Sequence, residues 1–334
     1  MPMTEGEGAA CACGRIDVHV HFLPEVYAQA LAGAGLTTLD GGFPIPAWSE
    51  DAALKVMDAQ GIATAMVSLS SPSSHFLPPP ERPALVRAVN DAGASLLRIH
   101  PERFGYFATL PMPDVEASLA ELRRAFDELG ADGVVLQTNT DGLYLGAPAF
   151  APIFAELNRR KAALFLHPTS PACFDALALG RPAPLLEFPL DTTRTVVDLL
   201  YNGVLTANPD IQVIVPHGGA ALPALIARIA AFANVPIVNP RPASEAEVFE
   251  TLARLYYDVA LSAHPIPFAA LRAIAPVTQI LFGSDWPFTP EPGVARNIRQ
   301  LEANNLTEAE ARAIARENAE RVFPRLAKLR EGAA

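Results

Sequence analysis

From Arg15 onward, short apolar or β-branched runs alternate with longer stretches whose apolar residues recur at the period of a helix with one buried face. Eight runs stand out, at 15–19, 62–69, 104–109, 133–137, 163–167, 212–215, 255–261 and 279–282. Helical stretches between them are expected near 52–59, 83–99, 115–129, 149–160, 192–207, 220–232 and 267–274. Repeated βα units imply a parallel sheet, and eight of them predict a closed (β/α)8 TIM barrel of the α/β class. The competing arrangement, an open doubly wound sheet, calls for a glycine-rich phosphate loop after an early strand; here the first strand ends in histidines. The barrel is expected to be one domain over residues 15–334, behind a flexible leader of residues 1–14. Insertions at 33–49 and 171–189, both rich in Pro and Gly, exceed ordinary loops on the expected active-site side and suit lids or substrate walls. Thr307-Glu308-Ala309-Glu310 has the form of a capping box. It opens a C-terminal helix expected to pack outside the barrel or against another subunit.

Composition narrows the partners. Half of the 334 residues are hydrophobic and 18% are charged, the balance of a chain with a large buried core. A net charge of -11 repels phosphate backbones and no Lys/Arg cluster offsets it, so no nucleic-acid partner is expected. No apolar run approaches the roughly 20 residues of a bilayer span, and the N-terminus lacks a basic-then-apolar signal pattern. No membrane association and a cytoplasmic location are therefore expected. Cys11, Cys13 and Cys173 are an odd count in a long chain and are expected to be reduced. Cys11 and Cys13 could bind a soft metal, but with no second thiol pair they are read as incidental.

Three of the seven histidines end strand runs. His19 and His21, one residue apart, point to the same side of an extended strand, here the barrel mouth. His167 ends the fifth run, His217 follows the sixth and Asp285 follows the eighth. Each alone has a bland reading, as a polar rim residue or, for Asp285, a helix cap. Together they fall at the C-terminal ends of strands, where barrel enzymes place their catalytic groups. Three imidazoles and a carboxylate suit one divalent cation with a coordination position left open. His217 then remains as an acid, a base or an orienting group. Weaker expectations concern the mouth: His75, Trp48, Phe188, Arg194, Trp286 and His264 as substrate-pocket residues, with Phe76 and Phe288 as further aromatic walls. His100 lies on a helix-to-strand connection at the far face and is given a structural role only.

The phrases Arg15-Ile-Asp-Val-His-Val-His-Phe-Leu-Pro24, His100-Pro-Glu-Arg-Phe104, Phe165-Leu-His-Pro-Thr169, Pro216-His-Gly-Gly219, Phe282-Gly-Ser-Asp-Trp-Pro287 and Asn318-Ala-Glu-Arg-Val-Phe323 form a set. They resemble the amidohydrolase superfamily, in its branch of aminocarboxymuconate-semialdehyde decarboxylase and the aromatic acid decarboxylases. Ser68-Leu-Ser-Ser-Pro72, Tyr144-Leu-Gly146, Glu187-Phe-Pro-Leu-Asp-Thr-Thr-Arg194 and Asp258-Val-Ala-Leu-Ser262 are similar to the 6-methylsalicylate decarboxylase subgroup. The resemblance implies one zinc or manganese ion on His19, His21, His167 and Asp285, with His217 and Asp285 catalytic, and a homodimer. Gln137, Thr138 and Asn139 stand where hydrolases of the superfamily often carry a bridging carbamylated lysine, which argues against two metals.

The implied activity is metal-dependent, non-oxidative decarboxylation of a hydroxylated aromatic acid. Direct loss of CO2 would leave an unstabilised aryl anion, so the ring carbon is expected to be protonated first, by Asp285 or an acid coupled to His217. A hydrolase of a lactone, amide or ester using metal-activated water is the alternative, and a metal-binding barrel without turnover is the third reading.

Overall fold

The computed structural model of the protein describes residues 14–333; the Cys11–Cys13 pair lies outside them. Eight strands follow in chain order around one sheet: β1 (Arg15–His21), β2 (Ile62–Ser68), β3 (Phe104–Thr109), β4 (Gly133–Gln137), β5 (Ala163–His167), β6 (Gln212–Val215), β7 (Tyr256–Asp258) and β8 (Ile280–Leu281). All neighbouring pairs are parallel. The ring closes where β1 meets the residues around β8. Val18 donates its N–H to the Phe282 carbonyl at 3.0 Å, Asp285 to that of His19 at 2.8 Å, and His21 to that of Trp286 at 2.7 Å. This is the expected (β/α)8 barrel.

Alternation along the strands sorts their side chains into two cores. Ile16, Val18, Met66, Phe107, Val135, Phe165, Ile214 and Leu281 fill the barrel interior, and a second cluster lies between the strands and the outer helices. The C-terminal segment corrects an expectation. Its capping box on Thr307 and Glu310 is present, but the chain then turns under the barrel instead of packing outside it. Ala319, Val322, Phe323 and Leu326 join the interior cluster and plug the end where the strands begin. Arg325 fastens the plug on Asp132 at 2.8 Å and on the Pro101 carbonyl at 2.7 Å. From Phe323 the rings run through Phe107 (5.7 Å) and Phe165 (5.3 Å) to His19 (4.8 Å). An apolar column thus supports the mouth from below.

Helices α1 (Glu25–Gly33), α2 (Glu50–Ala59), α3 (Arg82–Ile99), α4 (Val115–Asp127), α5 (Ala151–Arg160), α6 (Glu187–Tyr201), α7 (Leu222–Phe232), α8 (Glu245–Ala253), α9 (Pro265–Arg272) and α10 (Glu291–Glu302) cover the outside. Sequence periodicity missed α1, α8 and α10. Helix α1 buries only Tyr27 and Leu31, and α10 carries Pro292 and Gly293 in its first turn, where a proline is tolerated because that N–H has no helical partner. Helix α6 begins five residues earlier than expected, taking in Phe188 and Asp191. Strand β7 ends at Asp258, whose side chain accepts the Ala260 N–H at 2.9 Å and turns the chain before the expected Leu261. The two insertions meet over the mouth: Gly41 has a φ of 66°, and a Cβ there would collide with Ala183. No helix among the described residues is long and apolar enough to cross a membrane.

Candidate metal centre and active site

His19 and His21 reach the mouth together through a register irregularity in β1 between Asp17 and Val20. Their Nε2 atoms lie 3.1 Å apart. The His167 ring stands 4.7 Å from that of His21, and one nitrogen from each of the three rings lies within 4.8 Å of the others. Asp285 places Oδ1 3.4 Å from His19 Nε2 and 3.2 Å from His21 Nε2. His217 stands with Nε2 3.9 Å from Asp285 Oδ2. His217 and Asp285 have φ of 56° and 63°, a left-handed backbone that side chains with a Cβ adopt at a cost of about 1 kcal/mol or more. Tight turns after β6 and β8 hold both against that cost.

The remaining ring nitrogens decide what the cluster can hold. His19 Nδ1 faces Asp258 Oδ2 at 2.9 Å, His167 Nδ1 faces the Pro168 carbonyl at 2.7 Å, and His21 Nδ1 faces the Ser68 carbonyl at 3.3 Å and the Ser68 hydroxyl at 3.1 Å, which itself donates to the Val20 carbonyl. Each partner is an acceptor, so in the neutral ring each Nδ1 carries the proton and each Nε2 presents a lone pair. The hydrogen-bond network thus assigns the tautomers. Three lone pairs and the Asp285 carboxylate converge with only the Ser70 hydroxyl, 3.4 Å from His167 Nε2, as a nearby donor, which is repulsive unless a cation fills the centre. The residues therefore fit a divalent metal ion.

Electrostatics agree. Burial disfavours a charge on His19, yet Asp258 and Asp285 outweigh it and raise its pKa to about 10. Burial lowers His21, and burial with the neighbouring rings holds His167 well below the ordinary imidazole range. Asp285, which burial alone would push up, is held well below the carboxylate range by His19, His21 and His217. The site thus draws in one positive charge, as a proton when no metal is bound.

Above the cluster opens a cavity of ≈ 410 Å³. His167, His217 and Asp285 form its base, while Phe43, Phe188 and Phe288 contribute aromatic walls. Asp40, Ser70, Ser71, Ser262 and Thr289 supply its polar rim, and no lysine or arginine lines it. Of the six residues expected in the pocket, Phe188 alone lines it. Trp286 is buried in the barrel seam, and Trp48 packs on Phe22 at 6.2 Å. His264 caps α9 by accepting the Ile266 N–H. His75 is turned toward Thr140, its Nε2 3.5 Å from the hydroxyl. Arg194 pairs with Asp191 at 2.7 Å, away from the cavity. Phe76 packs on Tyr27 at 5.9 Å, and His100 binds Glu50 at 2.6 Å on the far face as expected.

The amidohydrolase family model matches residues 16–325. The chain belongs to the amidohydrolase family. It is 36% identical to 6-methylsalicylic acid decarboxylase of Aspergillus aculeatus over 93% of this chain and 96% of that protein. The crystal structure of an amidohydrolase superposes with a TM-score of 0.87 at 35% identity, covering 93% of this chain and 100% of that one. A 2,6-dihydroxybenzoate decarboxylase bound to 2,6-dihydroxybenzoate gives 0.80 at 26% identity, over 93% and 99% of the two chains.

Within this amidohydrolase, Asp258 was quoted in a motif but given no task by the sequence. Besides holding His19, it accepts the His217 N–H through Oδ1 at 3.1 Å, so one buried carboxylate locates a ring of the cluster and the backbone of His217. Gly283 leaves room for this arrangement, since a Cβ there would fall 3.0 Å from both Asp258 and His19. Asp191, fully buried inside α6, accepts from Thr138, Asn139, Tyr144 and Arg194 and fixes the chain after β4. Ser70, Ser71 and Ser262 lie in the motif phrases, and Asp40 and Phe43 in the first insertion, but none was singled out as a pocket residue, because short polar or aromatic residues in irregular loops have no period to read.

Proposed function

We propose that this amidohydrolase is a metal-dependent, non-oxidative decarboxylase of hydroxylated aromatic carboxylic acids of the 6-methylsalicylate kind. The observation that carries the reading is the set of three fixed Nε2 lone pairs and one carboxylate beneath an aromatic-walled cavity that no lysine or arginine among the described residues lines. His19, His21, His167 and Asp285 would hold one zinc or manganese ion. That cation, when bound, supplies the Lewis acidity to chelate an ortho-phenolate and one carboxylate oxygen, the charge that no lysine or arginine is present to balance.

The chain's own groups do the rest. Phe43, Phe188 and Phe288 hold the ring and keep water out. The proton that the substrate's phenol gives up on binding passes through Asp285 and His217, both at the cavity base, to the ring carbon bearing the carboxylate. The C–C bond then breaks, its electron pair restores the aromatic ring, and CO2 leaves without redox chemistry. Relatives named 6-methylsalicylic acid decarboxylase and 2,6-dihydroxybenzoate decarboxylase support this substrate class. A homodimer in the cytoplasm completes the reading; Leu177, Leu179, Leu185, Leu186 and Leu190, exposed along the second insertion, suit cover by a second copy.

The test is incubation of metal-loaded protein with 2-hydroxybenzoates while CO2 and the phenol product are followed. Release of both is expected. An intact ring carboxylate, with turnover of a lactone or ester instead, would establish the hydrolase alternative.

A further inference from the structure

The cavity wall carries one acidic group that this scheme leaves unused. Asp40, in the first insertion, lines the cavity. Its Oδ2 accepts the Ser170 N–H at 2.6 Å and lies 2.7 Å from the Ser71 hydroxyl and 2.9 Å from the Thr169 hydroxyl, which stand 2.6 Å apart, so that one donates to the other and the other donates to Asp40. The Ser170 N–H and this linked hydroxyl pair, from the loops after β2 and β5, thus fix the carboxylate in one orientation. Its Oδ1 accepts no hydrogen bond among the described residues. Asp40 lines the same cavity as His167, His217 and Asp285. A ring seated over His167 occupies the cavity that Asp40 helps to wall.

We propose that Asp40 is a specificity-determining residue, whose free oxygen accepts a hydrogen bond from a second hydroxyl on the substrate ring and whose charge rejects a second carboxylate there. Beyond the cluster at the base, the rest of the wall offers apolar surface and neutral hydroxyls, so among the described residues no other wall residue brings an anionic acceptor. A hydrogen bond to an anionic acceptor is worth on the order of tenfold or more in kcat/KM, and a methyl group in its place leaves the carboxylate oxygen desolvated without a partner. The inference rests on the decarboxylase reading.

The experiment compares 2-hydroxybenzoates bearing a hydroxyl or a methyl at each remaining ring position, with native protein and Asp40→Asn. The amide keeps an oxygen for Ser71, Thr169 and Ser170 while turning a neutral NH2 to the cavity. At one position the hydroxyl compound is expected to exceed its methyl counterpart by about tenfold in kcat/KM, and the ratio to collapse toward unity in the variant. Comparing ratios between proteins cancels the intrinsic reactivity of each compound. A benzene carrying the second carboxylate at that position should inhibit the variant more strongly than the native protein. Asp40→Ser reads the same ratio if the Asn variant does not fold. Absence of a hydroxyl preference in the native protein, or its survival in both variants, overturns the proposal and leaves the decarboxylase intact. Failure of every compound to lose CO2 sinks the decarboxylase instead, and calorimetric binding of the same pairs then still decides for or against Asp40.

Discussion

At the scale of single residues, this amidohydrolase depends on partners that freeze its ligands. Asp258 is the example: its two oxygens serve His19 and the backbone of His217 at once. An amide cannot accept from both sides, so Asp258→Asn should weaken metal binding by about ten- to a hundredfold, read by competition with a chelator. Unchanged affinity would show that His19 needs no such orientation. His75 gives a pH effect separate from the metal. Burial foremost, then Arg82, lowers its pKa to about 4 from the ordinary 6.5. The unfolded chain takes up the proton as pH falls through 6.5, whereas the folded protein resists until about 4, so stability drains away across that window. His75→Gln removes the difference. Its loss of unfolding free energy between pH 7 and pH 5 should be smaller than that of the native protein by about 1 to 2 kcal/mol in denaturant titrations.

At the scale of elements, legibility followed locality. Six strands, including β4 and β5, begin where the apolar runs do, because a buried strand must be apolar along its whole length. Helices α1 and α10 escaped because few buried positions or an early Pro-Gly weaken the periodic pattern. The C-terminal segment was legible as a helix but not as a plug, since amphipathicity says that a face is buried and not against what. Phe323 lies at the foot of the ring column. Phe323→Ala should cost roughly 3 to 5 kcal/mol of stability, measured by chemical unfolding. Metal content should survive at temperatures where the variant stays folded, because the ligands sit at the opposite end. A loss below 1 kcal/mol would mean that the segment lies loosely on the barrel.

At the scale of the whole molecule, four ligands from three separate parts of the chain can bind an ion only in the closed barrel, so the ion stabilises the folded state over the unfolded one. Chelation should lower the melting temperature and abolish decarboxylation, and zinc or manganese should restore both. An unshifted melting curve with full activity would end the metal reading. The sequence by itself determined the barrel, the ring of strand-terminal histidines and the family, because each is written in local periodicity and short motifs. Tertiary structure decided which acceptors face which nitrogens and which side chains wall the cavity. His19 and Asp258 are 239 residues apart, and their contact exists only once eight strands have closed the ring.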